Sequence, residues 1–397
     1  MKDKMRCLKE ELFEAVEKHS PKAIALSDHL AANPEPGDEE FESSRLHADL
    51  LRLAGFEVEY PFAGIATAFR AKRGKGSSKV AFLAEYDALP EIGHACGHNL
   101  SGAMSTLAGI ALASVSDELD GEIQVIGTPA EETNGAKVAM SEKGVFDDLD
   151  LALTLHCSGG ASFVPYESLA VDALEFVFTG KTAHASASPW MGKNALNGVQ
   201  LFFHALDMLR QHVPPEVRMH GIITSGGEAP NIVPEKAVAK FYFRAPKRPM
   251  VNEIVAKAKN CARGAALATE TDVRWDTAEI SFEDMKRNSS AERAMEKIME
   301  ELGVVLSSGP GPQGSSDIGN ASRRCPALQP HFSITKESRD LHTREFARAT
   351  TEPEAHRAMI TGAKALAAMA LSVISDQKLR ETVKADHRRD CPARGTP

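Results

Sequence analysis

The stretch KVAFLAEYDALPEIGHACGHNLSGAMSTLAGIALASV (79–115) decides the fold, because it reads in succession as strand, loop and helix. Its strand-like part, KVAFLAEYDAL (79–89), is almost continuously apolar until Glu85 and Asp87, and its helix-like part, NLSGAMSTLAGIALASV (99–115), follows at once. Between them HACGHN (94–99) sets His94, Cys96 and His98 at alternate positions. Thiolate and imidazole are the ligands that zinc and similar divalent ions prefer. In an extended segment residues i and i+2 point the same way, so Cys96 and His98 can reach one ion or two adjacent ions. A structural zinc site, or a buried Cys between surface His, would give the same letters.

Working outward, residues 8–31 and 39–54 read as helices, broken by NPEPGD (33–38), with Gly55 as a C-cap. Strands are expected at 56–60, 65–71 and 79–85, the last two joined as a hairpin through the KRGKGSSK turn (72–79). A helix (99–116), a strand (122–127), a helix (135–143) and a strand (151–155) then alternate, which argues for an α/β layer with a mainly parallel sheet. Ligands of such sheets gather at the carboxyl ends of the strands. Asp87, Cys96, His98, Glu131, Glu132 and His156 all fall just past an expected strand.

From about 170 the rhythm changes to strand (170–178), helix (193–211), strands (217–224 and 236–244), helix (250–268) and strand (271–276). This βαββαβ order is that of a ferredoxin-like unit. It predicts an inserted domain over 169–285 within a discontinuous domain of 1–168 and 286–397. A Gly-rich loop, GPGPQGSSDIGN (309–320), the strand-like HFSI (331–334) and a long helix (353–375) complete the chain, and the tail DHRRDCPARGTP reads as frayed.

The 397 residues, with 43% apolar and 25% charged side chains, suit a two-domain globular protein. A net charge of −9 without a long basic block disfavours nucleic acid as the main partner. The charged, amphipathic N-terminus does not read as a signal segment. No apolar run is expected to span a bilayer, so a cytoplasmic location is the default expectation. The six cysteines (7, 96, 157, 261, 325 and 391) form no CxxC pairs, and most are expected to be reduced, buried or incidental, Cys96 being the exception.

Glu131 and Glu132 stand in TPAEETNGA directly after a strand. Adjacent side chains diverge, so one can bind a metal while the other serves as base for an attacking water whose acidity the ion has raised. A helix start also favours Glu through its dipole. His156 at a strand end and His342 in a polar segment each have an ordinary reading, as a core and a surface His. Together Cys96, His98, Glu132, His156 and His342 make five ligands, one more than a tetrahedral ion takes, which suits two ions about 3.5–4 Å apart.

These motifs resemble the aminoacylase/carboxypeptidase group of dinuclear zinc metallopeptidases, and within it the amidohydrolase branch with Cys as the bridging ligand. The likeness runs through NPEPGDEEF (33–41), EYDALPEIGHACGHNL (85–100), GTPAEE (127–132), LTLH (153–156), GKTAHAS (180–186), PNIVP (230–234), GSSDIGN (314–320) and LHTREF (341–346). EYDALP, CGHN and GSSDIGN point toward the branch of aminobenzoyl-glutamate hydrolase and Xaa-Arg dipeptidase. The resemblance implies that Cys96 bridges two divalent ions, zinc or manganese, with His98, Glu132, His156 and His342 completing the shell. It makes Glu131 the general base and Asp87 the carboxylate that orients a ligand. His184 would stabilise an oxyanion across a dimer interface. Asn231, Arg244 and Ser316 would hold a substrate bearing a carboxylate. Glu85 stands where more distant peptidases carry a His ligand. The inserted domain becomes a lid and dimerisation domain of a homodimer.

The expected activity is hydrolysis of an amide bond in a small N-acyl-amino acid or dipeptide. Hydrolysis of another C–N bond on the same metal site, such as deamination of an aromatic amine, is the alternative enzyme reading, and a catalytically silent ligand-binding homologue the alternative outside enzymes.

Overall fold

The computed structural model describes residues 2–312 and 314–389. The chain divides into two compact units, one taking the chain up to Glu167 and again from Met285, the other Ser168–Asp284. In chain order the strands are β1 (Glu57–Glu59), β2 (Phe69–Arg73), β3 (Ser78–Ala84), β4 (Gly121–Gly127), β5 (Leu151–Leu153), β6 (His156–Ser158), β7 (Ala170–Thr179), β8 (Arg218–Ser225), β9 (Lys236–Ala245), β10 (Asp272–Phe282), β11 (Ala327–Leu328) and β12 (His331–Ser333).

The first unit is built on a mixed sheet of order β1-β2-β4-β3-β5-β11. Pairings β4–β3, β3–β5 and β5–β11 are parallel, while β1–β2 and β2–β4 are antiparallel. The sheet is therefore mainly parallel, as the strand and helix alternation implies. The expected hairpin between 65–71 and 79–85 does not form, because β4 lies between β2 and β3. A Cβ on Gly76 would sit 2.3 Å from backbone atoms of Asp120 and Gly121, where β4 begins. The turn thus steps over β4, and β3 gains two parallel neighbours in place of one antiparallel neighbour.

Helix His98–Ala113 is buried at every position and packs on helices Lys2–Ala32 and Pro353–Ser375 as well as on β3 and β4. Its small and apolar sequence on all sides follows from this encirclement. The helix Pro353–Ser375 corrects one expectation: it is long and apolar enough to cross a membrane, yet most of its apolar window is buried in the core of this unit. The tail is corrected as well. Residues 386–389 belong to the helix Gln377–Arg389, where Asp386 accepts the Ser290 N–H (3.1 Å) and Val383 O accepts from Asn288 Nδ2 (2.8 Å). The rest of the tail lies outside the described residues.

The second unit has an antiparallel sheet of order β10-β7-β9-β8 with helices Ala195–Leu209 and Arg248–Ala268 packed on it. In the unit's own strand count this order is 4-1-3-2, the ferredoxin-like arrangement. Phe176, Phe178, Phe202, Phe241 and Phe243 fill its core. Strand β8 is an edge, mostly exposed, with Ile222 and Ile223 in solvent.

Candidate active site

The chemistry-bearing side chains of the first unit hang from strand ends. β3 runs into Glu85 and Asp87, β4 into Glu131 and Glu132, and β6 opens on His156. The turn into helix His98–Ala113 is made by Gly97, whose φ of +83° is left-handed. A Cβ there would stand 2.6 Å from the Cβ of Cys157 and 2.9 Å from its Sγ. Both backbone and space therefore demand glycine, and the same close approach sets Cys96 beside His156. Gly97→Ala is expected to lose roughly 2–4 kcal/mol from strain and overpacking. Urea unfolding checks this, and an unchanged midpoint would mean that the turn relaxes freely.

Alongside a third group of His98, Glu131 and Glu132, five side chains converge into two overlapping ligand groups, Cys96 with His98 and His156, and Cys96 with Glu132 and His342. Ligand atoms within each group lie within 4.8 Å of one another. Cys96 belongs to both. Its Sγ is 3.2 Å from His156 Nε2, and Glu132 Oε1 is 3.3 Å from His342 Nε2. His156 Nδ1 donates to the carbonyl of Cys157 (2.8 Å), which turns Nε2 toward the thiol. His98 Nδ1 faces Asp87 Oδ1 at 2.9 Å, and Asp87 Oδ2 accepts the Glu132 N–H at 3.0 Å. Asp87 thereby orients both an imidazole and the backbone of the carboxylate ligand. His342 is held by its own N–H on Ala95 O (2.9 Å) in a left-handed conformation, φ +60°.

A cation fits this donor set. His98 Nε2 is buried without a hydrogen-bond partner, its other nitrogen being engaged by Asp87. Thiol, imidazole and carboxylate together match zinc and its neighbours. His94 stays outside both groups: it is buried, and desolvation and then His98 hold its imidazolium down to about 3.

Glu131 is buried beside these groups. Burial, followed by the charges of Glu132, Asp317 and Glu85, raises its carboxyl well above the ordinary range. Burial also works against ionised Glu132, but the His342 hydrogen bond and His98 outweigh it and lower that group. The two adjacent glutamates are thus driven apart, one toward holding a proton and the other toward staying ionised.

Three partners of this site, Lys137, Asp317 and Glu40, carry no role that the motifs announce. Lys137 is fully buried, with its ammonium 2.8 Å from Glu85 Oε1 and 2.6 Å from Asp317 Oδ1. Glu40 is also buried, accepts from Ala130 N (2.7 Å) and Thr67 Oγ1 (3.0 Å), and is pushed up to about 8 by burial and Asp87. It braces Ala130, at φ +60°, just before the glutamate pair. A lysine inside the otherwise apolar run AKVAM (136–140) was the available signal for the buried cation.

The ligand groups open on a cavity of about 500 Å³ lined by, among others, Glu131, Tyr166, Arg287, Ser316 and Gln329. His331 forms part of its wall, stacked on Phe163 at 4.5 Å between ring centroids and 4.8 Å from Tyr166. Ser316 is buried, its Oγ 3.4 Å from the Ile318 N–H.

His184, Asn231 and Arg244 belong to the second unit. The first two are brought together: Ala185 N–H donates to Asn231 O (3.0 Å), and His184 bridges Ile232. Arg244 lies near the far end of β9, on the order of 27 Å from Lys236 at ~3.4 Å per residue. Within one chain it therefore does not join Asn231. His184 is exposed, and its Nδ1 accepts the N–H groups of Ser186 (3.3 Å) and Ala187 (3.2 Å). Its ring proton therefore sits on Nε2, which points out as a donor.

A sequence profile described as the Peptidase dimerisation domain matches residues 171–270. The chain is 35% identical to the Xaa-Arg dipeptidase of Mus musculus, over 97% of this chain and 93% of that protein. The chain belongs to the M20 peptidase family. It is 28% identical to a p-aminobenzoyl-glutamate hydrolase polypeptide of Escherichia coli, over 94% of each chain. The fold is also that of an M20 peptidase from Bacillus subtilis described as dinuclear metal binding, with a TM-score of 0.67 at 18% identity, covering 90% of this chain and 99% of that one. Like its M20 relatives this protein is a hydrolase of the metallopeptidase and amidohydrolase type, and the resemblance read from its motifs is borne out.

Proposed function

We propose that this M20 hydrolase cleaves the amide bond of a small dipeptide or N-acyl-amino acid bearing a free carboxylate. The observation that carries the reading is the pair of ligand groups sharing Cys96 with a spare, buried Glu131 beside them. The activities that name the mouse and E. coli relatives support the substrate class. Cys96, His98 and His156 would hold one divalent ion, and Cys96, Glu132 and His342 the other, zinc or manganese. Bound there, the ions supply Lewis acidity to the scissile carbonyl and to water. Glu131 takes the proton of the attacking water and returns it to the leaving nitrogen. Asp87 keeps His98 in the tautomer whose Nε2 lone pair faces the centre. Ser316 and the Phe163, Tyr166 and His331 wall receive the substrate. Incubating metal-replete protein with a panel of dipeptides and acyl-amino acids tests the reading. Free amino acid is the expected product; ammonia in its place would favour deamination, and no product from any member would favour a silent homologue.

The matched dimerisation domain and the exposed edge β8 support a homodimer paired about a two-fold axis. His184, with its Nε2–H outward, then serves as oxyanion donor in the partner's site. Mixing inactive His184→Ala chains with inactive Glu131→Gln chains, with exchange between dimers confirmed, is expected to restore part of the activity. Mixed dimers that stay inactive would leave His184 acting within its own chain or not at all.

A further inference from the structure

The motif NPEPGDEEF (33–41) takes no part in the reaction proposed above, yet it carries a carboxylate that acts far from its own helix. Glu40 is the N-cap of helix Phe41–Leu53, and its side chain caps nothing there. Glu35 does so in its place, its two oxygens accepting the N–H groups of Glu42 (3.0 Å) and Ser43 (2.7 Å). The buried Glu40 carboxylate instead accepts the Ala130 N–H on Oε1 at 2.7 Å, 90 positions along the chain. Thr67 Oγ1 donates to its Oε2 at 3.0 Å. Two residues beyond Ala130, the Glu132 N–H is held at 3.0 Å by Asp87 Oδ2. The backbone on either side of Glu131 therefore hangs from two buried carboxylates, Glu40 before it and Asp87 after it. Ala130 sits at φ +60°, a left-handed conformation that a residue with a Cβ keeps only where its surroundings impose it. The loop presses on the same turn: a Cβ on Gly37 would lie 2.4 Å from Thr133 Oγ1 and 3.1 Å from Ala130 Cα. It also holds the neighbouring strand end, since Glu35 O accepts the Ala88 N–H (2.8 Å) one residue after Asp87.

The geometry points to Glu40 as the positioning residue of the general base: by fixing Ala130 in its left-handed conformation it aims the Glu131 carboxylate at the attacking water. The inference rests on the reading of Glu131 as base proposed above. A base works only within hydrogen-bond reach of the proton it takes, and a misplacement of ~1 Å can cost ~10²-fold in rate. Release of the Ala130 anchor frees Glu131 first, because Glu132 keeps its own anchors in Asp87 and in His342 at 3.3 Å. A glutamine at position 40 would preserve the arrangement. Its amide oxygen accepts the Ala130 N–H, and its NH2 donates to Thr67 Oγ1, a hydroxyl that can accept as well as donate. A leucine fills the space but leaves the Ala130 N–H buried without an acceptor.

The test uses the full-length, zinc-loaded protein and the best-hydrolysed amide of the substrate panel. Glu40→Leu is expected to lower kcat by ~10–100-fold, with KM within about threefold of native and most of the zinc retained. Glu40→Gln is expected to stay within about threefold of the native kcat. The deciding measurement is a double-mutant cycle with Glu131→Gln. Once the base is gone there is nothing left to aim, so adding Glu40→Leu should deepen the loss by less than about threefold. A merely structural defect would carry its full cost into both backgrounds. Equal losses in the two backgrounds would therefore overturn the inference and leave Glu131 standing as base. Near-native kcat in Glu40→Leu alone, or a loss matched by missing zinc, would overturn it as well. Near-native turnover by metal-replete Glu131→Gln would overturn the base and the inference together. If the leucine variant does not fold, Glu40→Asp, which keeps the charge but shortens the reach to Ala130, enters the same cycle and is decided by the same outcomes.

Discussion

Glu131→Gln is expected to keep its metal and lose roughly 10²–10⁴-fold in turnover. The substitution conserves shape and removes a carboxylate that is buried and raised well above its ordinary range by burial and by Glu132. Glu131 belongs only to the group it forms with His98 and Glu132 and to neither group that contains Cys96, so most of the metal content should be preserved. Loss of activity with full metal occupancy would therefore isolate the base from the ligands. The measurement pairs metal analysis with kcat on whichever amide the panel identifies. Near-normal turnover in the metal-replete variant would remove Glu131 from the role. The neighbouring position supplies a contrast: Glu132→Gln changes a ligand to His342's side of the centre, and its activity loss should come with lost metal.

Much of this site was legible in the sequence because its ligands mark the ends of apolar strands. HACGHN, the glutamate pair after EIQVIG and His156 after LALTL each stop a buried run abruptly, and parallel sheets collect their ends on one edge. What was not legible depends on contacts distant in the chain. Lys137 and Asp317 are 180 positions apart, so the apolar run around Lys137 hints at a buried cation but nothing local names its partner. Glu85 likewise reads as a polar residue closing a strand until the lysine is placed beside it. His342 could be counted as a ligand only in the company of the other four candidates, since a polar segment with a left-handed backbone at that residue has no periodicity to betray it. The hairpin expectation failed for a related reason. A short turn between two strands predicts their pairing when local contacts decide, but here β4, arriving from 121–127, takes the place between them. In the second unit periodicity alone sufficed to give the βαββαβ order, while the separation of Arg244 from Asn231 is a matter of strand length that the motifs do not express.

Cys96→Ser is expected to abolish most metal binding and activity together, because Cys96 is common to both ligand groups. A seryl hydroxyl is a poorer and uncharged donor where a thiolate is required. Losing a shared ligand should weaken both sites, with affinity falling by more than ~10²-fold, beyond the range that lost supporting contacts alone produce. The environment gives this prediction a second handle. Without metal, burial and then Glu132 raise the Cys96 thiol well above its ordinary range, so the apo protein holds the proton. Metal binding must displace it, and apparent affinity should therefore rise with pH in the native protein and much less steeply in the serine variant. Cys157→Ser is the matched control. That thiol is also buried and raised, to about 12, but it lies 3.4 Å from Gly97 O and belongs to neither ligand group. It is expected to keep its metal, measured by elemental analysis after dialysis. If both variants lost metal equally, the loss would reflect the packing around Gly97 and not a thiolate bridge. If neither did, Cys96 would be a buried cysteine like its neighbour.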